Sequence, residues 1–195
     1  MTADSSIAYE KHAKEFLQQR DNSRIGVQIV STWARSLKPD SSVIDIACGG
    51  GLPVTQSLVD LGVSVWAIDS SPTLIDSFSK RFPEIPAECA SVLDSDYFGR
   101  RFDAAISIGL VFLLAEGDQI RMLNRVSDIL NPGASFLFTA PIETGTWTDT
   151  NTGHGCISMG RDNYSSALEQ AGFQIVKCHV DSGANNYYEV EKNKN

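Results

Sequence analysis

Asp45 and the glycines that follow it, Gly49, Gly50 and Gly51, are the residues of this sequence best placed for ligand chemistry. Glycines let the backbone turn sharply and approach a ligand with no side chain in the way. A second acid, Asp69, closes the apolar run 63–68, the position at which an α/β site binds ribose hydroxyls. A carboxylate there accepts from both vicinal hydroxyls in charge-assisted bonds. Neither common phosphate motif is completed. Gly49 and Gly51 lead to Val54 in place of a third glycine, and no Lys-Ser or Lys-Thr follows them. An NAD-type oxidoreductase and a nucleoside triphosphatase are therefore both disfavoured.

The elements that must carry these residues are legible around them. Val43, Ile44, Ile46 and Ala47 read as a strand covered on both faces. Val54, Leu58, Val59 and Leu61 give the next helix one apolar face, and Gly62 ends it. Residues 63–69 form a second strand. Ser71-Pro72 then supplies an N-cap with proline in the first turn, Leu74, Ile75 and Phe78 face inward, and Pro83 closes the helix. A further strand spans 102–108, a helix 119–130 and a strand 134–139, the last two separated by the turn Asn131-Pro132-Gly133. A helix ending at Ala171-Gly172 and two strands, 173–180 and 187–191, finish the chain. Two helices precede the first strand: 9–19, and one with a stripe of Ile25, Ile29, Trp33 and Leu37.

The stretch Asp45-Ile46-Ala47-Cys48-Gly49-Gly50-Gly51 resembles motif I of the class I S-adenosylmethionine-dependent methyltransferases, an acid followed by three alternate glycines. Ala47 stands at the first glycine position. Phe102-Asp103, Leu130-Asn131-Pro132-Gly133-Ala134 and Ala171-Gly172-Phe173 are similar to later landmarks of the same family, so the resemblance spans roughly residues 40–192. It implies a doubly wound, mostly parallel seven-stranded α/β sheet with a C-terminal antiparallel hairpin and helices on both faces. It also implies one domain over 1–195, with a helical cap at 1–38 and a cofactor-binding core at 40–192. The cofactor implied is S-adenosylmethionine. Its methionine part would pack on the backbone of Ala47, Cys48, Gly49 and Gly51, its amino group would meet Asp45, and its ribose would meet Asp69 and Ser70. Ile108, at the end of the fourth strand, completes the set. The family's adenine-binding acid falls at Ser91-Val92, so the Ser91 hydroxyl and Val92 backbone take that role, with Asp94 as the alternative.

Substrate recognition then belongs to residues outside the cofactor half. Tyr9 and His12 on the leading helix are pocket candidates, although a solvated helix face explains them equally well. The segment from Pro141 to Gly160 reads as a long loop over the strand ends, and loops of that length are usually functional or disordered. Within it Trp147 and Asp149 could hold a substrate, and His154 could be a general base because imidazole titrates near neutral pH. Tyr187 in the terminal hairpin could reach the same mouth.

Bulk properties narrow the substrate. With 24 acidic against 16 basic residues, the charge of −8 argues against tracking a phosphate backbone. Ser107-Ile108-Gly109-Leu110 replaces the Asp/Asn-Pro-Pro-Tyr/Phe motif of related enzymes that methylate nucleobase amines. The four cysteines show no C-x-x-C spacing, and no metal-ligand cluster is visible. No signal peptide and no membrane-length apolar run is seen, which reads as a cytoplasmic protein. The expected activity is methyl transfer to an O, N or S nucleophile of a small molecule. The alternative is a protein of the same fold that binds the cofactor for other chemistry or as a non-catalytic partner, the reading that Ala47 and Ser91 leave open.

Overall fold

Ser42–Ile46 (β1) is buried at all five positions, as an apolar run sandwiched between helix layers must be. The computed structural model describes residues 9–149 and 152–194. After a helical turn at 9–11 come α1 (Ala13–Asp21), α2 (Val27–Ser36), β1, α3 (Val54–Val59), β2 (Ser64–Asp69) and α4 (Pro72–Arg81). They are followed by β3 (Ala87–Cys89), β4 (Phe102–Ser107), α5 (Glu116–Ile129), β5 (Leu130–Thr139), β6 (Gly145–Thr148) and β7 (Gly155–Ser158). The chain closes with α6 (Arg161–Gln170), β8 (Phe173–Val180) and β9 (Asn186–Lys192).

Seven strands form one sheet in the order β3-β2-β1-β4-β5-β9-β8. Neighbours from β3 to β5 are parallel, and β9 enters antiparallel between β5 and β8. Crossing from β1 to β4 reverses the direction of winding, so the carboxyl ends of β1, β2 and β4 open on a shared crevice, the place where such sheets hold ligands. One face packs Ile44, Ile46, Phe136 and Phe138 against α5 and α6; the other packs Val43, Ile106 and Leu137 against Trp33 and Val30 of α2. Trp33 also donates its indole N–H to Ser135 Oγ at 2.7 Å, anchoring α2 to the sheet.

Two local expectations need correcting. Asn131-Pro132-Gly133 is not a turn ahead of β5 but lies inside it, where pairing to β4 jumps from Phe102↔Leu130 to Ala104↔Ser135. Proline removes a ladder donor and Gly133 takes φ +77°, so these residues bulge out of the ladder without ending the strand. The segment after β5 is likewise not a plain loop. Its middle folds into the antiparallel β6–β7 hairpin, Trp147 opposite Cys156. Among the described residues no helix is long and apolar enough to cross a membrane, and no group of three or more His, Cys, Asp and Glu could hold a metal.

Candidate active site

The glycine turn is held in shape by the acid at the end of β2. Asp69 is buried; its Oδ2 accepts the Gly49 amide at 2.8 Å and its Oδ1 the Ser71 amide at 2.9 Å. Burial raises its pKa, and the Ser71 and Gly49 amides pull it back. Cys48 N–H bonds the Ile68 carbonyl at 3.1 Å, so β1 and β2 leave the sheet together. The turn itself needs left-handed backbone, with Gly49 at φ +57° and Gly51 at +85°. Ala47 shares it at φ +61°, at a cost of roughly 1–2 kcal/mol that glycine avoids. Beneath it, Asp45 is 2% exposed and accepts from Thr55 Oγ1 at 2.6 Å. Burial pushes its carboxyl up to about 7, the Thr55 bond working in the opposite direction.

The N-terminal segment lies over this turn. A Cβ on Gly49 would meet Phe16 at 3.1 Å, and one on Gly50 would meet Leu17 at 2.3 Å. Two polar contacts fasten the cover at its ends. Arg81 of α4 donates to Asp21 Oδ1 at 2.7 Å and to the Gly50 carbonyl at 3.1 Å. At the other end Glu10 accepts from Ser71 Oγ and, at 2.5 Å, from Thr73 Oγ1, across the N-terminus of α4. A carboxylate is favoured there by the helix dipole, and the Ser71 and Thr73 hydroxyls hold the pKa of Glu10 below its usual value.

The opposite wall comes from the β6–β7 hairpin and the 3₁₀ turn Val111–Leu113. Asp149 sits at the hairpin's bend, its backbone N–H bonded to the His154 carbonyl at 2.7 Å and its Oδ1 accepting from Thr152 N–H at 2.9 Å. Gln119 ties the hairpin down by donating to the carbonyls of Leu114 and Ile157, both at 2.9 Å, while accepting from the Tyr164 hydroxyl.

Between cover and hairpin is a cavity of about 290 Å³. Of the residues expected at a site, it brings together Tyr9, Ala47, Asp69, Ser70, Ile108, Asp149 and Tyr187. Cys48, Gly49 and Gly51 stand behind Ala47 and do not line it, and neither does Asp45. Ser91 and Val92 are also outside its wall. Ser91 Oγ accepts the Leu93 amide, and the Val92 carbonyl already accepts from Tyr97 Oη at 2.6 Å and Arg125 Nε at 3.1 Å. The alternative, Asp94, is exposed. His12 points to Glu15 at 2.9 Å. His154, expected as a base, is buried with Nε2 3.2 Å from the Leu113 carbonyl. Trp147 is 39% exposed and packs on the outside of Phe112, which does line the cavity.

Arg20, not anticipated, is the most informative wall residue. Its guanidinium lines the cavity with no hydrogen-bond or ion-pair partner among the described residues. Burial lowers its pKa; Tyr187, Asp45, Tyr9 and Asp181 act electrostatically against that. A signal for it was present, since Tyr9, Phe16 and Arg20 are spaced by seven and four, one helical face. Tyr187 donates its hydroxyl to Asp181 at 2.8 Å, and burial raises its pKa.

Comparison with known proteins agrees with this architecture. A methyltransferase-domain family model matches residues 43–133. The aklanonic acid methyltransferase of Streptomyces sp. (strain C5) is 30% identical over 156 residues, 71% of this chain and 68% of that enzyme. An uncharacterized methyltransferase of Synechocystis sp. is 22% identical over 160 residues, 76% of this chain and 74% of its own. Among solved structures, the 1,6-didemethyltoxoflavin-N1-methyltransferase of Burkholderia thailandensis, with S-adenosylhomocysteine bound, superposes with a TM-score of 0.75 at 17% identity. That match covers 99% of this chain and 92% of the other. The chain belongs to the class I methyltransferase family. It is an S-adenosylmethionine-dependent methyltransferase.

Proposed function

We propose that this enzyme methylates an O, N or S nucleophile of a small molecule bound between the N-terminal cover and the β6–β7 hairpin. The observation that carries the reading is the shared cavity, lined by Ala47, Asp69, Ser70 and Ile108 at the strand ends together with Tyr9 of the cover and Phe112 and Asp149 of the opposite wall. The net charge of −8 and relatives named for aklanonic acid and 1,6-didemethyltoxoflavin support a small acceptor over a nucleic acid. Four free cysteines suit a reducing compartment such as the cytoplasm. The described residues read as one unit, with residues 9–38 as the cap of the 40–192 core.

The wall residues Arg20, Asp69 and Ser70 fit the methionine and ribose parts of the cofactor, while Asp45, Ser91 and Val92 lie outside that wall. Asp69, buried yet on the cavity wall, would hold the ribose hydroxyls beside Ser70. Asp45 would face the amino group, and the unpartnered Arg20 guanidinium the carboxylate of the methionine part. Adenine falls to the Ser91 hydroxyl and the Val92 amide, the Val92 carbonyl being occupied. When bound, S-adenosylmethionine supplies an electrophilic methyl group on a cationic sulfur. The chain's own task is alignment and exclusion of water: Tyr9 and Phe16 cover one side, and Phe112 and Leu113 present apolar surface on the other. Calorimetry tests the reading. S-adenosylhomocysteine should bind and NAD should not; no heat with S-adenosylhomocysteine would overturn it.

A further inference from the structure

We infer that Asp149 is the proton acceptor for the methylated group, so that the acceptor site takes a nucleophile carrying its own proton, a phenol or an amine, in preference to a carboxylate. This rests on the cofactor placement above, because it assigns what is left of the cavity. Three titratable groups besides tyrosines line the wall: Arg20, Asp69 and Asp149. Asp69 is engaged by two backbone amides at the ribose end. Arg20 lies within electrostatic reach of Asp45 and Tyr187, on the methionine side. Asp149 is the acid on the hairpin side of the wall, beside Tyr9. Both histidines near the cavity are turned elsewhere, His154 to the Leu113 carbonyl and His12 to Glu15.

The carboxylate is aimed. The Thr152 amide holds Oδ1, the hairpin fixes the backbone on both sides, and the Tyr9 hydroxyl lies beside it. Burial and the Asp149 charge both raise the pKa of Tyr9, so this phenol stays protonated and is a donor beside Asp149 rather than a base. Cys156 is the other titratable group facing the pair, and burial and Asp149 push its thiol up to about 11. The charge of Asp149 itself disfavours an anionic substrate on this side of the cavity. The step balances without a further reactant. A lone pair on the nucleophile forms the new bond to carbon as the sulfur–methyl bond breaks. That bonding pair stays on sulfur, leaving neutral S-adenosylhomocysteine. The proton shed by the nucleophile passes to the Asp149 carboxylate and from there to solvent.

The test uses the full chain saturated with S-adenosylhomocysteine, titrated with benzylamine, phenol and benzoate as probes. Benzylamine and phenol should each bind at least about tenfold more tightly than benzoate, the scale of one hydrogen bond to a charged group. Asp149→Asn should bring the ratio close to one while leaving S-adenosylhomocysteine affinity unchanged. With S-adenosylmethionine in place of the product, the same substitution should slow methylation of phenol far more than it raises the KM. Equal or tighter binding of benzoate by the wild-type protein overturns the assignment without any variant being made. So does a preference that survives Asp149→Asn. Failure of S-adenosylhomocysteine itself to bind would instead overturn the cofactor placement, so the two readings fail separately.

Discussion

Binding of the cofactor should be linked to pH through Asp45. In the free protein burial holds this carboxyl near 7, against 3.8 in an unfolded chain. An ammonium group beside it favours the ionised form, so binding below neutrality must displace a proton. If the complex keeps Asp45 ionised throughout, each pH unit below about 7 weakens binding up to tenfold, ~1.4 kcal/mol. The assay is calorimetry with S-adenosylhomocysteine from about pH 5.5 to 7.5, a range in which an α-amino group is still largely protonated. Repeating it in two buffers of different ionisation heat should show proton release approaching one per cofactor at the acid end. Asp45→Asn should flatten both the affinity profile and the release, which separates Asp45 from Asp69, whose pKa is also raised. The free protein should behave in the opposite sense. Its folded state holds the Asp45 proton more tightly than the unfolded chain, so this contribution is fully present below about pH 4 and is lost as the pH rises to 7. The loss is on the order of 4 kcal/mol at most. A pH-independent affinity, or the same slope in Asp45→Asn, would refute the linkage.

Three further outcomes are expected. Gly49→Val should abolish cofactor binding, because φ +57° excludes a β-branched residue and its Cβ would press on Phe16 at 3.1 Å; calorimetry on a variant with native circular dichroism checks it. Asp69→Ala should weaken S-adenosylmethionine by roughly 1.5–3 kcal/mol and also lower the melting temperature, since the buried Gly49 and Ser71 amides lose their acceptor. Trp147→Ala should leave cofactor affinity unchanged yet reduce turnover, acting through Phe112, and unchanged turnover would remove the hairpin from substrate positioning.

Much of this was written locally in the sequence. A buried parallel strand, a glycine turn and an acid at the next strand's end are contiguous signals, and β1, β2 and the Ser71 cap stand where those signals put them. What escaped depends on contacts between distant segments. The residues of β6 are all exposed and carry no apolar alternation, so nothing marks them as a strand until they pair with β7. His154 looked like a base because its partner, the Leu113 carbonyl, is 41 residues away. Arg20 went unread, and only the docking of α1 on the glycine turn makes it a wall of the cavity.

The fastening of that helix has a kinetic consequence. Asp21 and Glu10 are tied to Arg81, Ser71 and Thr73, and Arg81 also grips the Gly50 carbonyl, so the cover is bolted to the frame around the cofactor's seat. With the cofactor seated as proposed, its exchange past Phe16 and Leu17 is expected to require that these contacts release. The Arg81–Asp21 ion pair is partly exposed and worth about 1 kcal/mol or less. Turnover is then expected to be gated by how often the Glu10 contact, in the turn before α1, and the Asp21 contact, at the end of α1, release at once.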